Sequence, residues 1–422
     1  MAEKLLFLID SYPALGGVET VTSRLAGWLS ARFDVMVLAR GGRPADIPVG
    51  TAVSVGSAVS LGTAVSVGTA VGPRKTASEK NTVAATSAAV RCLWLPDAVD
   101  FNSPRNRQYI CDFIRENDVR YIINQGVVSQ VWQDFAGDAR HKVICVLHAC
   151  PAWQTVCLRQ GDWRQQCRAT HSLKPCLRHL YYRIPLVSQV HVRRERKRQI
   201  AASAAYVVLA EAYRQELEAT LYGGRVQEKL RAIPNPLAAE ARLSAREKTV
   251  VYAGRFTRAD KRLDRLLRIW KRVQDAHPDW HLQLVGEGPE QARLCRQAAR
   301  LGLERVDFRP AVSDGSQYAQ ASIACLTSSY EGLNMFLLEA QQAGIPVMAF
   351  DCNGGMALAV QDGRSGVLVK PFDEKAYARA LSALMDDSAR RDEMAAKARE
   401  YVRRFDMESV GNEWLRLFDN LV

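Results

Sequence analysis

Two glutamates, Glu331 and Glu339, stand in the stretch SSYEGLNMFLLEAQQAGIPV with seven residues between them. Glu331 precedes a glycine. Glu339 is set in the apolar run FLLEA, where Leu or Ile would pack better. Two carboxylates this close in sequence suggest an acid/base couple, but the spacing argues otherwise. Gly344 and Pro346 end a helix that begins near Asn334, because glycine caps helix C-termini and proline cannot continue them. Glu331 then lies in a loop and Glu339 about one and a half turns into the helix. At about 1.5 Å per residue they stand on the order of 10 Å apart. Carboxyl pairs that act on one glycosidic bond stand roughly 5–9.5 Å apart. The two glutamates suit the ends of one elongated ligand instead. Between them, the N–H groups of Gly332, Leu333, Asn334 and Met335 make a helix N-terminus, which favours phosphate. A nucleotide sugar presents hydroxyls, diphosphate and hydroxyls in that order. The alternative is that Glu339 is an ordinary surface residue of an amphipathic helix; Leu337, Leu338 and Ala340 beside it argue against easy exposure.

Two further places could meet an anion. In YAGRFTRADKRLDRLL, Arg255 follows a strand and Lys261 opens the next helix, so both cations lie at a carboxyl edge where a diphosphate would sit. Near the start, LIDSYPALGG ends in Gly16 and Gly17 directly before a helix, where a backbone can approach phosphate closely. A plain tight turn and a basic surface are the alternatives for these two places.

The elements that carry these residues alternate. KLLFLID, FDVMVLAR, RYIINQG, KVICVLHA and AAYVVLA read as strands, with helices over VETVTSRLAGWLSAR and from about Glu211. LRAIPNPLA reads as a connection punctuated by Pro and Asn. A second alternating series runs from TVVYAG through HLQLVGEG, RVDFRPA, IACLTS, IPVMAF and GVLVK, with helices between, and AREYVRRFDMESVGNEWLRLFDNLV ends the chain as one or two amphipathic helices. The pattern predicts an α/β protein of two doubly wound domains in tandem, with ligand expected in the cleft between them. The expected boundaries are 1–236, 237–398 and a terminal helix at 399–422.

The segments GRFTRADKRLDRLL, LQLVGEGPE, VDFRPAV and SSYEGLNMFLLEAQQAGIPVMAFD resemble the C-terminal domain of the family 4 retaining glycosyltransferases, of GT-B fold. DSYPALGGVE resembles that family's N-terminal glycine-rich loop and IPNPL its linker. The resemblance implies two Rossmann-like domains facing a central cleft, with the C-terminal helix crossing back to the N-domain. It implies that Glu339 binds ribose hydroxyls, that Glu331 contacts the donor sugar near its reacting carbon, and that Arg255 and Lys261 hold the diphosphate. Gly16 and Gly17 would pack against phosphate, Arg309 would join the nucleotide site, and His148, at the end of KVICVLH, would lie near the transferred sugar. The family needs no metal, and no DxD triplet occurs here. Two positions depart from the common pattern. Asn334 stands where many members have Pro, and Leu358 stands where a Gly-Pro-x-Glu run would put Glu, which leaves sugar identity open.

Composition sets the remaining limits. With 422 residues, 48% of them hydrophobic, the chain is too long for one core and reads as soluble and globular. No apolar run reaches membrane-spanning length, and the start does not read as a signal peptide, so the cytoplasm is the expected compartment. The net charge of +12 is uneven: in 151–200 eleven Lys or Arg face only Asp162 and Glu195, among Trp153, Trp163, Tyr181 and Tyr182. No nucleic-acid motif accompanies this segment. An anionic membrane is its expected partner, on the cytoplasmic face of the inner or plasma membrane, with a solvated basic face as the alternative. Cys150, Cys157, Cys167 and Cys176 cluster near His148, His171 and His179, but no paired CxxC knuckle is present, so reduced thiols are expected and no metal site. Residues 49–72 are four tandem hexamers such as VGTAVS, inside a low-complexity insertion at 46–88.

The expected protein is a retaining glycosyltransferase. It would move a hexose from a nucleotide diphosphate sugar, UDP-linked in this reading, to a lipid-linked or glycan acceptor in cell-surface polysaccharide or lipopolysaccharide synthesis, without cofactor. A nucleotide-sugar epimerase on the same fold, or a silent membrane-docked scaffold, are the alternatives; the glutamate pair with Arg255 and Lys261 argues against both.

Overall fold

The structure is a computed structural model that describes residues 2–13, 16–42, 53–55, 90–153, 184–221, 224–238, 245–312 and 314–421. Internal contacts divide the chain into two units. Unit 1 comprises Met1–Val146, Ala202–Tyr206 and Leu415–Val422; unit 2 comprises Leu147–Ala201 and Val207–Trp414.

Unit 1 is organised on β1 (Lys4–Ser11), a run of apolar residues buried on both faces as a central parallel strand must be. β1 pairs in parallel with β2 (Asp34–Gly41) on one side and β5 (Tyr121–Gln125) on the other. The eight-stranded sheet to which β1 belongs has the order β3 (Val53–Val55), β4 (Val90–Trp94), β2, β1, β5, β6 (Lys142–Leu147), β7 (Ala205–Val208) and β8 (Leu230–Ala232), of which β8 and the end of β7 are counted in unit 2. α1 (Gly17–Leu29) buries Val21, Leu25 and Leu29, and α2 (Pro104–Glu116) begins with Ser103 capping Asn106 N. The end of the chain also belongs here: the Phe418 ring lies 4.7 Å from that of Tyr121 and 5.3 Å from that of Phe33. Within the insertion at 46–88 only Val53–Val55 is described, as an edge strand antiparallel to β4; the remaining hexamer residues lie outside the described residues. LRA in LRAIPNPLA forms β8 rather than plain linker, because its backbone finds a sheet edge to pair with.

Unit 2 holds a six-stranded parallel sheet of order β11 (Val306–Arg309), β10 (His281–Val285), β9 (Thr249–Ala253), β12 (Ile323–Leu326), β13 (Val347–Phe350) and β14 (Gly366–Val369). Sequence order reverses between β9 and β12. α3 (Pro185–Ala202), α4 (Glu211–Thr220), α5 (Leu263–Val273), α6 (Gln291–Arg300), α7 (Met335–Gln342), α8 (Met356–Ala359), α9 (Glu374–Asp386) and α10 (Ser388–Val402) follow in chain order, with α11 (Met407–Asp419) last. Trp270, Tyr252, Phe256, Leu337, Leu338 and Tyr377 fill the core on this sheet. α7 is buried almost all round: Phe336, Leu337, Leu338, Ala340 and Gln341 are inside, and Gly344 follows it with φ of 76°. A helix of that kind is fixed by packing, so the direction of each side chain on it is set by the core. Among the described residues no helix is long and apolar enough to cross a membrane.

Candidate functional site

In an open parallel sheet, ligands bind beyond the carboxyl ends of the strands where strand order reverses. In unit 2 that point lies between β9 and β12, and the loops after these two strands are joined tightly. Ser329 N donates to the Asp260 carbonyl at 2.7 Å, and Thr327 Oγ1 donates to the Arg262 carbonyl at 3.2 Å. Arg265 Nη1 donates to Thr327 O at 3.3 Å and to Ser329 Oγ at 3.2 Å. Lys261 does not open the helix as its sequence position suggests. α5 begins at Leu263, after Arg262 in the left-handed conformation, and the turn presents Lys261 to the neighbouring loop.

There Lys261 meets Glu331. Its Nζ lies 2.7 Å from Glu331 Oε1 and 2.9 Å from Oε2, and Ser328 Oγ donates to Oε1 at 2.5 Å. The Glu331 side chain is 8% exposed and that of Lys261 16%, so this is a buried pair. Buried charges persist when paired and hydrogen-bonded, as here. Arg255 does not share the pair. Its side chain is 75% exposed, and its Nη2 lies 3.7 Å from Asp260 Oδ2.

α7 begins as its sequence demands. Asn334 is the N-cap, its Oδ1 accepting from Leu337 N at 3.1 Å. The N–H groups of Gly332 to Met335 precede the first intrahelical bond, which Leu338 N makes to Asn334 O. One turn further, Glu339 is partly buried and its Oε2 accepts from the Tyr318 hydroxyl at 3.0 Å. Glu331 and Glu339 therefore lie on either side of the helix start, each fixed by a partner of its own.

His148 lies just past β6, with its ring hydrogen-bonded to the buried Asn235 side chain. Burial pushes its pKa down to about 4, so the imidazole is neutral at physiological pH. Its carbonyl oxygen occupies the place a side chain at residue 332 would need: a Cβ on Gly332 would lie 2.0 Å from it. Arg309 ends the edge strand β11. With the Gln283 carboxamide oxygen turned towards it, Arg309 Nη1 donates at 2.8 Å. Gly16 and Gly17 belong to unit 1, where Gly16 precedes α1 and Gly17 is its first residue. The structure thus brings together Lys261, Glu331, Gly332 and His148, places Asn334, Met335 and Glu339 on the adjoining helix, and leaves Arg255 in solvent.

Residues 237–401 match the family described as Glycosyl transferases group 1. That segment carries a glycosyltransferase group 1 domain. An exopolysaccharide phosphotransferase of Streptomyces coelicolor is 36% identical over 201 residues, which is 46% of this chain and 21% of that protein. The amylovoran biosynthesis glycosyltransferase AmsD of Erwinia amylovora is 32% identical over 155 residues, 36% of this chain and 43% of AmsD. The chain spans less than half the length of these curated relatives. Among solved structures, Anabaena HepE in complex with UDP and glucose superposes with a TM-score of 0.67 at 18% identity, covering 99% of this chain and all of that one. The fold is α/β, two Rossmann-like parallel-sheet units of the GT-B glycosyltransferase type.

Several residues of the site carry no signal in the sequence. Tyr318, Ser328, Asn235, Tyr213 and Asn353 all hold a candidate residue by hydrogen bonds; Ser328 and Asn235 lie inside stretches the sequence singles out, but nothing in their type or spacing marks them as partners, and Tyr318, Tyr213 and Asn353 are single polar residues outside those stretches. Of the cysteine and histidine cluster, Cys157, Cys167, Cys176, His171 and His179 lie outside the described residues. Among the described residues no three His, Cys, Asp or Glu gather as a metal site.

Proposed function

We propose that this protein is a retaining glycosyltransferase of family 4 type, which moves a hexose from a UDP-linked sugar to a lipid-linked or glycan acceptor. The polysaccharide-related relatives favour cell-surface polysaccharide or lipopolysaccharide synthesis as its setting. The observation that carries the reading is the arrangement at the switch point: Glu331 paired with Lys261, then the capped start of α7, then Glu339.

In this reading Glu339 accepts from the ribose hydroxyls, and the diphosphate rests on the N–H groups from Gly332 to Met335. Lys261 leaves Glu331 for the diphosphate as the donor arrives. The freed Glu331 carboxylate then accepts from donor sugar hydroxyls. Arg255, exposed and weakly held, has the freedom to close on the phosphates, while Arg309 adds a contact to the nucleotide. His148, neutral at its depressed pKa, contributes a hydrogen bond to the sugar rather than a charge. The bond between the sugar's anomeric carbon and the phosphate oxygen breaks, and the acceptor oxygen bonds to the same face. The acceptor's proton passes to the departing phosphate oxygen, and the nucleoside diphosphate leaves. Lys261 and Arg255 neutralise the charge that develops on it, so no metal enters this scheme.

The membrane part of the reading rests on α3. His191, Arg193, Arg194, Lys197 and Arg198 are exposed along it, with Ile184 and Val190 also outside. Cations beside exposed apolar groups suit an anionic bilayer surface on the cytoplasmic side. Turnover of nucleotide sugars by the wild-type protein and by Glu331→Ala tests the enzymatic reading.

A further inference from the structure

One hydroxyl and one carboxamide converge on the main chain of Glu331. The Tyr213 hydroxyl, on α4, lies 2.9 Å from the Glu331 carbonyl oxygen, 3.1 Å from the Gly332 carbonyl oxygen and 2.9 Å from Asn353 Oδ1. Asn353 Nδ2 donates to the same Glu331 carbonyl at 2.8 Å, while its Oδ1 accepts from Gly355 N at 3.2 Å. Tyr213 is fully buried, and burial drives its hydroxyl pKa far up, so it stays a neutral donor.

A phenol has one proton and is satisfied by one acceptor. Here it is surrounded by two successive peptide carbonyls and by a second side chain that holds the first of them. The packing leaves little slack: a Cβ on Gly355 would lie 2.0 Å from the Tyr213 hydroxyl oxygen. Glu331 is therefore fixed at both ends. Its carboxylate is held by Lys261 and Ser328, and its main chain by Tyr213 and Asn353.

We propose that Tyr213 and Asn353 are positioning residues for sugar transfer. They set the peptide of Glu331 and Gly332, and with it the direction in which the Glu331 carboxylate meets the donor sugar. The inference rests on the role proposed for Glu331. Once Lys261 turns to the diphosphate, the main-chain anchors are what keep Glu331 aimed. They act through Glu331 and need not touch the donor.

Tyr213→Phe keeps the ring and removes only the hydroxyl. The full-length wild type, Tyr213→Phe, Asn353→Ala and the double variant are each supplied with UDP-glucose, GDP-mannose and ADP-glucose. Nucleoside diphosphate release, the affinity for the free nucleoside diphosphate and thermal unfolding are measured. With the donor that the wild type consumes, each single variant is expected to lose about tenfold to hundredfold in kcat, the scale of a misplacement near 1 Å. KM and nucleotide affinity should stay within about twofold, and Tm should fall by about 2–4 °C, the cost of one lost hydrogen bond. The double variant should be little worse than the poorer single one, because both hold the same carbonyl. Wild-type kcat in Tyr213→Phe overturns the proposal. So does a loss of kcat matched by an equal loss of nucleotide affinity, which is the mark of a merely structural residue. If Tyr213→Phe does not fold, Asn353→Ala decides by the same readings. If the wild type consumes none of the three donors, the enzymatic reading fails and takes this inference with it, a result distinct from an active wild type with an indifferent variant.

Discussion

Lys261 Nζ lies within 2.9 Å of both carboxylate oxygens of Glu331, and neither side chain is more than 16% exposed. Each residue neutralises the other where the sequence reading directs them to different parts of a donor. The pairing explains how a carboxylate and an ammonium are kept at the end of a sheet with so little solvent. It also makes them interdependent.

Removing one partner should therefore do more harm than removing both. Lys261→Met leaves Glu331 buried without its cation, and stability should fall by about 3–5 kcal/mol. The double variant Lys261→Met/Glu331→Gln should recover most of that loss. Urea unfolding of the three proteins measures it; equal stability for Lys261→Met and the double variant would contradict the pairing's role.

The alternation of apolar runs made the two sheets readable, because buried parallel strands such as Lys4–Ser11 and Val347–Phe350 are continuous hydrophobic segments. The start of α7 was legible too, since Asn334 and Gly344 obey local capping rules. α2 was not, because its first residues, PRNRQ, are polar after the proline and its apolar residues are confined to the second half; its one clear start signal is Ser103 before Pro104. Within the site, the glutamates, Lys261 and His148 stood out by type and place. The Lys261–Glu331 pair did not, because residues 70 apart in sequence are joined only by the approach of two loops. Arg255 has the position expected of it but not the company: a side chain 75% exposed is held by Asp260 alone at 3.7 Å among the ion pairs described.

His148 makes stability depend on pH. An imidazole titrates near 6.5 in the unfolded chain and at about 4 in the fold, where burial disfavours its charge. Between these values the unfolded state binds the extra proton, so stability falls as pH drops from about 6.5 to about 4. His148→Gln should remove that dependence, on the order of 2 kcal/mol at pH 4.5. Unfolding midpoints at pH 7 and 4.5 check it: the gap between the two should narrow in the variant, and an unchanged gap would place the titration elsewhere.

Glu339 should govern nucleotide affinity. Glu339→Ala is expected to weaken binding of the donor nucleotide by about 1–3 kcal/mol through lost charged hydrogen bonds. Tyr318→Phe, which frees the Glu339 carboxylate from its hydroxyl partner, should cost less. Calorimetric dissociation constants for UDP measure both, and an unchanged value for Glu339→Ala would make Glu339 an ordinary helix residue.

The exposed cations of α3 should govern attachment to anionic lipid. Replacing Arg193, Arg194, Lys197 and Arg198 by Gln should reduce binding to phosphatidylserine-containing liposomes by about 1 kcal/mol per charge removed near the surface. Sedimentation with liposomes at fixed ionic strength reads this directly, and undiminished binding would make the helix a solvated basic face.

The central claim is that Glu331 serves the transfer of a sugar from a nucleotide. The most direct test supplies UDP-, GDP- and ADP-sugars to the wild-type protein and to Glu331→Ala, and follows nucleoside diphosphate release together with nucleotide binding. The account predicts that the wild type consumes one of these donors, and that Glu331→Ala loses most of the turnover while still binding the nucleotide. Near-normal turnover by Glu331→Ala, or a folded wild type that consumes none of the donors, would contradict it.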